Sequence, residues 1–185
     1  NKTITTGQGG AILLNNDDLE VRLRELKDQG RPVRGTGGDD THDRVGFNFK
    51  LTNLQSAVGI AQLKQLSART ARMQQTYLQY VDQLGDLEEL HFLPFDIENG
   101  EIPQWVDVLC SRRDDLVSYL QDRGIQCRKF WFPMHTHTPY RLPDHEFPNS
   151  TRLVKTAFWL PSSFTLTDDD VIHVCHQVRN FFEKT

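Results

Sequence analysis

Apolar and polar positions alternate along the chain in blocks whose spacing predicts helices more strongly than strands. Near the end, Val171, Val174, Cys175, Val178, Phe181 and Phe182 recur at helical intervals after Thr167-Asp168-Asp169-Asp170, which reads as a cap. That helix should lay one side on a sheet. A longer signal starts at Thr52, which stands three places before Gln55 in capping-box spacing. Leu54, Val58 and Ala61, then Met73, Tyr77, Val81 and Leu84, extend the pattern to about Gly85. It reads as one long connecting helix with a break near Ser67. Upstream, Gly9-Gly10-Ala11-Ile12-Leu13-Leu14 predicts a short strand, and Asn15-Asn16-Asp17-Asp18 a turn and cap. Asp17 with Glu20 has capping-box spacing for a helix whose face is Leu19, Leu23 and Leu26, stopped by Gly30 and Pro32.

Downstream of the long helix the pattern changes. Trp105 to Cys110 predicts a strand, Ser111 caps a helix running through Arg123, and Gly124 ends it. Ile125 to Phe132 predicts a second strand and Asn149 to Ala157 a short helix. Strands alternating with helices make this region a compact α/β or α+β domain. Between the first helix and the long one, residues 31–50 are polar, with Gly35, Gly37, Gly38 and an acidic cluster from Asp39 to Asp43. Loops of that length are usually functional or mobile.

Composition narrows the function. The 185 residues are 37% hydrophobic and 25% charged, which suits a packed core, and the net charge of −4 argues against a nucleic-acid binder. No apolar run is long enough to span a bilayer, and no signal-peptide pattern opens the chain. Cys110, Cys127 and Cys175 are too few for a disulfide framework and suit a reducing cytoplasm. Asn149-Ser150-Thr151 matches a glycosylation acceptor by chance on this reading. The chain begins at Asn1 without Met, already inside a structured pattern, as expected of a piece of a longer polypeptide.

The candidate chemistry sits at the start. Lys2 precedes Thr3-Ile4-Thr5-Thr6-Gly7-Gln8-Gly9-Gly10, a hydroxyl-rich and glycine-rich run. Such a turn lets backbone approach a planar ligand closely, and a lysine amine can condense with an aldehyde. His135 and His137 stand two apart but lack a third ligand of fitting spacing, so no metal is expected. His173 and His176 on the last helix read as surface or satisfied histidines. The Asp39–Asp43 cluster lacks the ligand alternation of a calcium loop and reads as a solvated turn.

Four segments in order carry a resemblance. Asn1 to Ala11 is similar to the cofactor-lysine run N-K-x-I-T-T-G-x-G-G of the DegT/DnrJ/EryC1/StrS family of sugar aminotransferases. Gly46-Phe47-Asn48-Phe49-Lys50-Leu51-Thr52-Asn53-Leu54-Gln55 resembles that family's G-[YF]-N-x-[RK]-[LM]-T-x-[LI]-Q segment. Gly124-Ile125, Phe132-Pro133-Met134-His135 and Pro139-Tyr140 resemble its small-domain signature. Leu160-Pro161 and Leu166 to Val171 resemble its closing helix. Gln8 stands where Glu or Gly is common, and Lys50 where many members have Arg.

The resemblance implies an α/β chain of the pyridoxal-phosphate (PLP) transferase fold type I. Residues 1–52 would be the end of the large domain, 53–85 the connector helix and 86–185 the small C-terminal domain. It further implies that Lys2 binds the cofactor covalently and moves a proton between substrate and cofactor. Asn48 would reach the PLP phosphate of a neighbouring subunit, Lys50 would add a charge there, and His135 would face the nucleotide-sugar cleft. The implied enzyme is a cytoplasmic homodimer with shared active sites. It would move an amino group from glutamate to a keto carbon of a nucleotide-linked deoxysugar for cell-surface polysaccharide or amino-sugar synthesis. The lysine segment resembles members that aminate C4, such as perosamine synthases. The family's ring-stacking aromatic and pyridine-pairing Asp lie in an N-terminal half outside these residues, so the chain alone is expected to be inactive. The alternative is a non-catalytic α/β interaction or regulatory module of the same family.

Overall fold

The computed structural model describes residues 2–32 and 40–183. The glycines at 35, 37 and 38, with Asp39, lie outside the described residues, as does Asn1. The chain divides into two compact units, Asn1–Leu66 and Ser67–Thr185.

In the first unit, α1 (Asp17–Lys27) is capped by Asn16, whose side chain accepts from Leu19 N at 2.9 Å. The cap thus lies one residue before the expected Asp17, and Glu20 instead pairs with Arg24 four places on. The apolar run Gly9–Leu14 is irregular rather than a strand. A strand needs a neighbour to take its backbone hydrogen bonds, and none of the described residues pairs with this run. α2 (Asn53–Lys64) opens with the expected capping box, Thr52 Oγ1 accepting from Gln55 N at 3.2 Å and Gln55 Oε1 from Thr52 N at 3.0 Å. It buries none of its residues, and Leu54, Val58, Ile60 and Leu63 are exposed.

The predicted long helix is two helices. Gln65 separates α2 from α3 (Leu66–Leu84), its N–H bonding to Gln62 O at 3.1 Å in a tightened last turn.

In the second unit, α3 buries Met73, Thr76, Tyr77, Tyr80 and Leu84, the spacing of one helix face. It is followed by β1 (Leu90–Phe92), β2 (Val106–Cys110), α4 (Arg113–Gln121), β3 (Arg128–Lys129), α5 (Pro148–Leu153), β4 (Ala157–Leu160) and α6 (Asp168–Glu183). The strands form one antiparallel sheet in the order β1-β2-β4-β3. The expected short helix 149–157 is α5, which ends at Leu153; Ala157 instead opens β4, a strand the sequence pattern did not predict. All four of its residues are buried, so it carries no period-two alternation to betray it. The predicted strand 125–132 pairs over Arg128–Lys129, with Phe130 N also reaching Ala157 O at 3.1 Å. α4 starts at Arg113 with no side-chain cap from Ser111 and ends at Gln121, short of the expected Arg123; Gly124, in the turn that follows, has a φ of +75° that suits glycine. Arg113 is itself buried and donates to the carbonyls of Val154 and Ala157, tying the start of α4 to β4.

Register divides the sheet into two faces. Val106 opposite Leu160 and Val108 opposite Phe158 point into the core. There they meet Leu116, Val117 and Leu120 of α4 and Val171, Val174, Cys175, Val178 and Phe181 of α6. The other face carries Asp107, Trp159 and Arg128 in one row across β2, β4 and β3. Trp105 stacks on Trp159 at 4.7 Å, Trp131 meets it edge-on at 4.5 Å, and the Arg128 guanidinium lies 5.3 Å from its ring. These side chains close the second face over Trp159.

Asp107 accepts from the Trp159 indole N–H at 2.5 Å, yet burial pushes its carboxyl above the usual range. A raised acid favours its protonated form in the fold, so the ionised form destabilises at neutral pH and this penalty disappears as pH falls below the unfolded value. Asp107→Asn keeps an acceptor for the indole and removes the charge. It should raise the melting temperature at pH 7 and leave it unchanged near pH 3, by calorimetry at both values.

Candidate cofactor-lysine site

Lys2 is exposed and leads into a turn held by its own hydroxyls. Thr5 Oγ1 accepts from Gly7 N at 3.1 Å, and Thr6 Oγ1 donates to Gln8 O at 2.5 Å. Gly7 and Gly9 have φ of +84° and +139°, conformations that side chains oppose. At Gly9 a Cβ would also stand 2.9 Å from Leu51 Cδ2 and 2.9 Å from Thr6 Oγ1. The turn therefore lies directly against the entry to α2. Gln55 Nε2 donates to Gln8 O at 3.4 Å, and the Thr6 methyl sits beside Gly59, 3.2 Å from where a Cβ would be.

Asn48 lies on a short extended segment laid antiparallel to the end of α1, forming a bridge opposite Asp28. Phe47 N donates to Leu26 O at 2.6 Å, Phe49 N to Lys27 O at 2.9 Å, and Gln29 N to Phe47 O at 3.0 Å. Phe47 and Phe49 stack at 5.1 Å, and Asn48 is exposed between them in sequence. Lys50 places its amine 2.7 Å from Asp28 Oδ1, with Arg31 3.5 Å from the same oxygen. The Lys50 contact first, then the Arg31 charge, hold the Asp28 carboxyl below the ordinary range.

The described part of the acidic cluster is engaged locally. Asp40 takes a 2.9 Å ion pair from Arg31 and lies 3.5 Å from His42. Among the described residues no three His, Cys, Asp or Glu are grouped as metal ligands. His176 Nδ1 lies 3.2 Å from the Asn180 side chain.

His135 belongs to the second unit, whereas Lys2, Asn48 and Lys50 share the first. Its ring is only 4% exposed. It stacks on Phe147 at 4.5 Å, with Nε2 3.2 Å from Asp144 Oδ1 and 3.4 Å from Thr151 Oγ1. With Met134, Tyr140, Leu142, Phe147 and Ser150 it lines an open hollow of about 350 Å³. Asp28 and Asp144, the acids that orient Lys50 and His135, escaped sequence reasoning. Asp28 was visible only as a residue at a helix end, and Asp144 stands nine residues from its partner with no periodicity linking them.

These residues fit part of a PLP site. Lys2 offers an exposed primary amine ahead of a turn where Gly9 excludes any side chain, and Asn48 offers an exposed amide donor for a phosphate oxygen. The mixed α/β chain with its small antiparallel sheet has the fold of type I PLP-dependent transferases.

The sequence matches the DegT/DnrJ/EryC1/StrS aminotransferase family over residues 1–179, and the chain belongs to that family. Enzymes of the family use PLP. The GDP-perosamine synthase of Escherichia coli O157:H7 is 30% identical over 186 residues, covering 98% of this chain and 50% of that protein. The GDP-perosamine synthase of Caulobacter vibrioides is 31% identical over 186 residues, covering 94% and 48%. The sugar aminotransferase CalS13 from Micromonospora echinospora superposes with a TM-score of 0.83 at 22% identity, over 97% of this chain and 49% of that one. The chain therefore spans about half the length of the relatives it matches. No helix among the described residues is long and apolar enough to cross a membrane.

Proposed function

We propose that this chain is the lysine-bearing part of an aminotransferase that aminates the C4 keto group of a nucleotide-linked deoxysugar, with glutamate as donor. The perosamine synthases among its relatives support that substrate class and lead to cell-surface polysaccharide synthesis in the cytoplasm as the setting. The observation that carries the reading is the Lys2 turn, pinned to the α2 entry by the Gly9–Leu51 approach. PLP, when bound, supplies the aldehyde that accepts the amino group and an electron sink for the adjacent carbon. Lys2 holds the cofactor through its amine and, once displaced, moves a proton at the substrate carbon. Asn48 donates from its amide to a phosphate oxygen of the cofactor in a partner subunit, so that active sites are shared in a homodimer. His135, oriented by Asp144, forms the substrate side with the hollow it lines. On this reading residues 1–185 by themselves are inactive.

Treating the complete gene product with PLP and borohydride should place the reduced adduct on the Lys2 peptide, as read by mass spectrometry. Labelling confined to Lys27, Lys50 or Lys64 would remove the assignment. Product from glutamate and a nucleotide-linked 4-keto sugar should carry its new amine on C4.

A further inference from the structure

Lys50 stands two residues after Asn48, on an exposed segment where a second cation for a phosphate would be expected. Its amine is instead committed 2.7 Å from Asp28 Oδ1. Asp28 is also the backbone partner of Asn48 in the bridge between the end of α1 and the 46–49 segment. Three backbone hydrogen bonds flank that bridge, from Phe47, Phe49 and Gln29.

The approach is forced from both sides by glycines. A Cβ on Gly46 would lie 2.1 Å from Gly30 N, and one on Gly30 would lie 1.8 Å from Arg44 O. The two backbones thus meet with no room for a side chain between them. A slip by one residue would turn Asn48 to the opposite side of the segment. Backbone contact alone sets how near the segment lies; the Lys50–Asp28 pair adds a side-chain tie two residues past Asn48, and Arg31 helps hold Asp28 in place.

We infer that Asp28 is a positioning residue: with Lys50 as its tether, it sets the register in which Asn48 is presented to the cofactor phosphate. The inference rests on the proposed role of Asn48, and it assigns Lys50 to the tether rather than to the phosphate itself.

The test compares pyridoxal 5′-phosphate with pyridoxal, which lacks only the phosphate, in the complete gene product. The readout is the ratio of their apparent affinities for adduct formation at Lys2, with hydrogen exchange at the Phe47 and Phe49 amides measured alongside. Asn48→Ala should lower the ratio about tenfold, the value of one hydrogen bond to a charged group. Asp28→Ala should lower it by a similar factor and speed exchange at both amides. Asp28→Asn, which keeps the side-chain shape, guards against a folding defect and should lower the ratio in the same direction. Lys50→Arg should keep the parent ratio, because a guanidinium also pairs with Asp28.

Parent selectivity in Asp28→Ala and Asp28→Asn, beside a loss in Asn48→Ala, overturns the inference. So does a loss in Lys50→Ala with none in Asp28→Ala, which would make Lys50 a direct phosphate ligand. An unaltered ratio in Asn48→Ala instead removes the Asn48 assignment and takes the inference with it. Absence of a Lys2 adduct in the parent protein defeats the proposed function itself.

Discussion

Alanine at position 2 should lower transamination by the complete gene product by roughly a thousandfold or more, the scale of a lost acid–base group at the reacting carbon. The Lys2 amine serves twice in the proposed reaction, as the anchor for the cofactor and as the proton carrier, so neither role survives. Lys2→Arg should be as inactive, because a guanidinium does not lose its proton in proteins. Lys2 is exposed and packs against no core, so the fold should be indifferent to the change. The measurement is steady-state turnover beside the melting temperature. A rate within tenfold of the parent, with an unchanged fold, would take Lys2 out of the chemistry.

The largest stability effect should come from Phe158→Ala. Phe158 is fully buried in β4, opposite Val108, where the sheet meets α4 and α6. Truncating a buried Phe costs about 3–5 kcal/mol, through lost transfer energy and the cavity left behind. The three tryptophans of the chain, Trp105, Trp131 and Trp159, all lie in the second unit. Their fluorescence therefore reports that unit alone during urea denaturation. The midpoint should fall sharply with little change in slope. A loss below about 1 kcal/mol would mean that this face of the sheet is loosely filled.

What could be read in the sequence follows from how much of each signal is local. The α6 face was legible because Val171, Val174, Cys175, Val178 and Phe181 repeat at one helix period and all five are buried. The capping box at Thr52–Gln55 and the cap at Thr167–Asp170 were legible because the partners sit within one turn. β4 was not, since a strand buried on both faces has no alternation, and its existence depends on β2 and β3 lying beside it. The Gly9–Leu14 run showed the reverse error: apolar side chains suggested a strand where no described residue offers a partner. For the candidate site, Lys2, Asn48, Lys50 and His135 were singled out through linear motifs. The Asp28–Lys50 pair was not, because it joins residues far apart in sequence with no periodicity linking them.

The crossing of Gly30 and Gly46 leaves its mark on which substitutions the chain can accept. At both positions the obstruction is main chain rather than a side chain that could swing aside, and Gly30 also sits at a φ of +79°. Shrinking a neighbour cannot make room, so no second-site change in side-chain size can compensate for a methyl group at either place. The two codons are thus locked by the path of the main chain itself, not by the chemistry of any side chain.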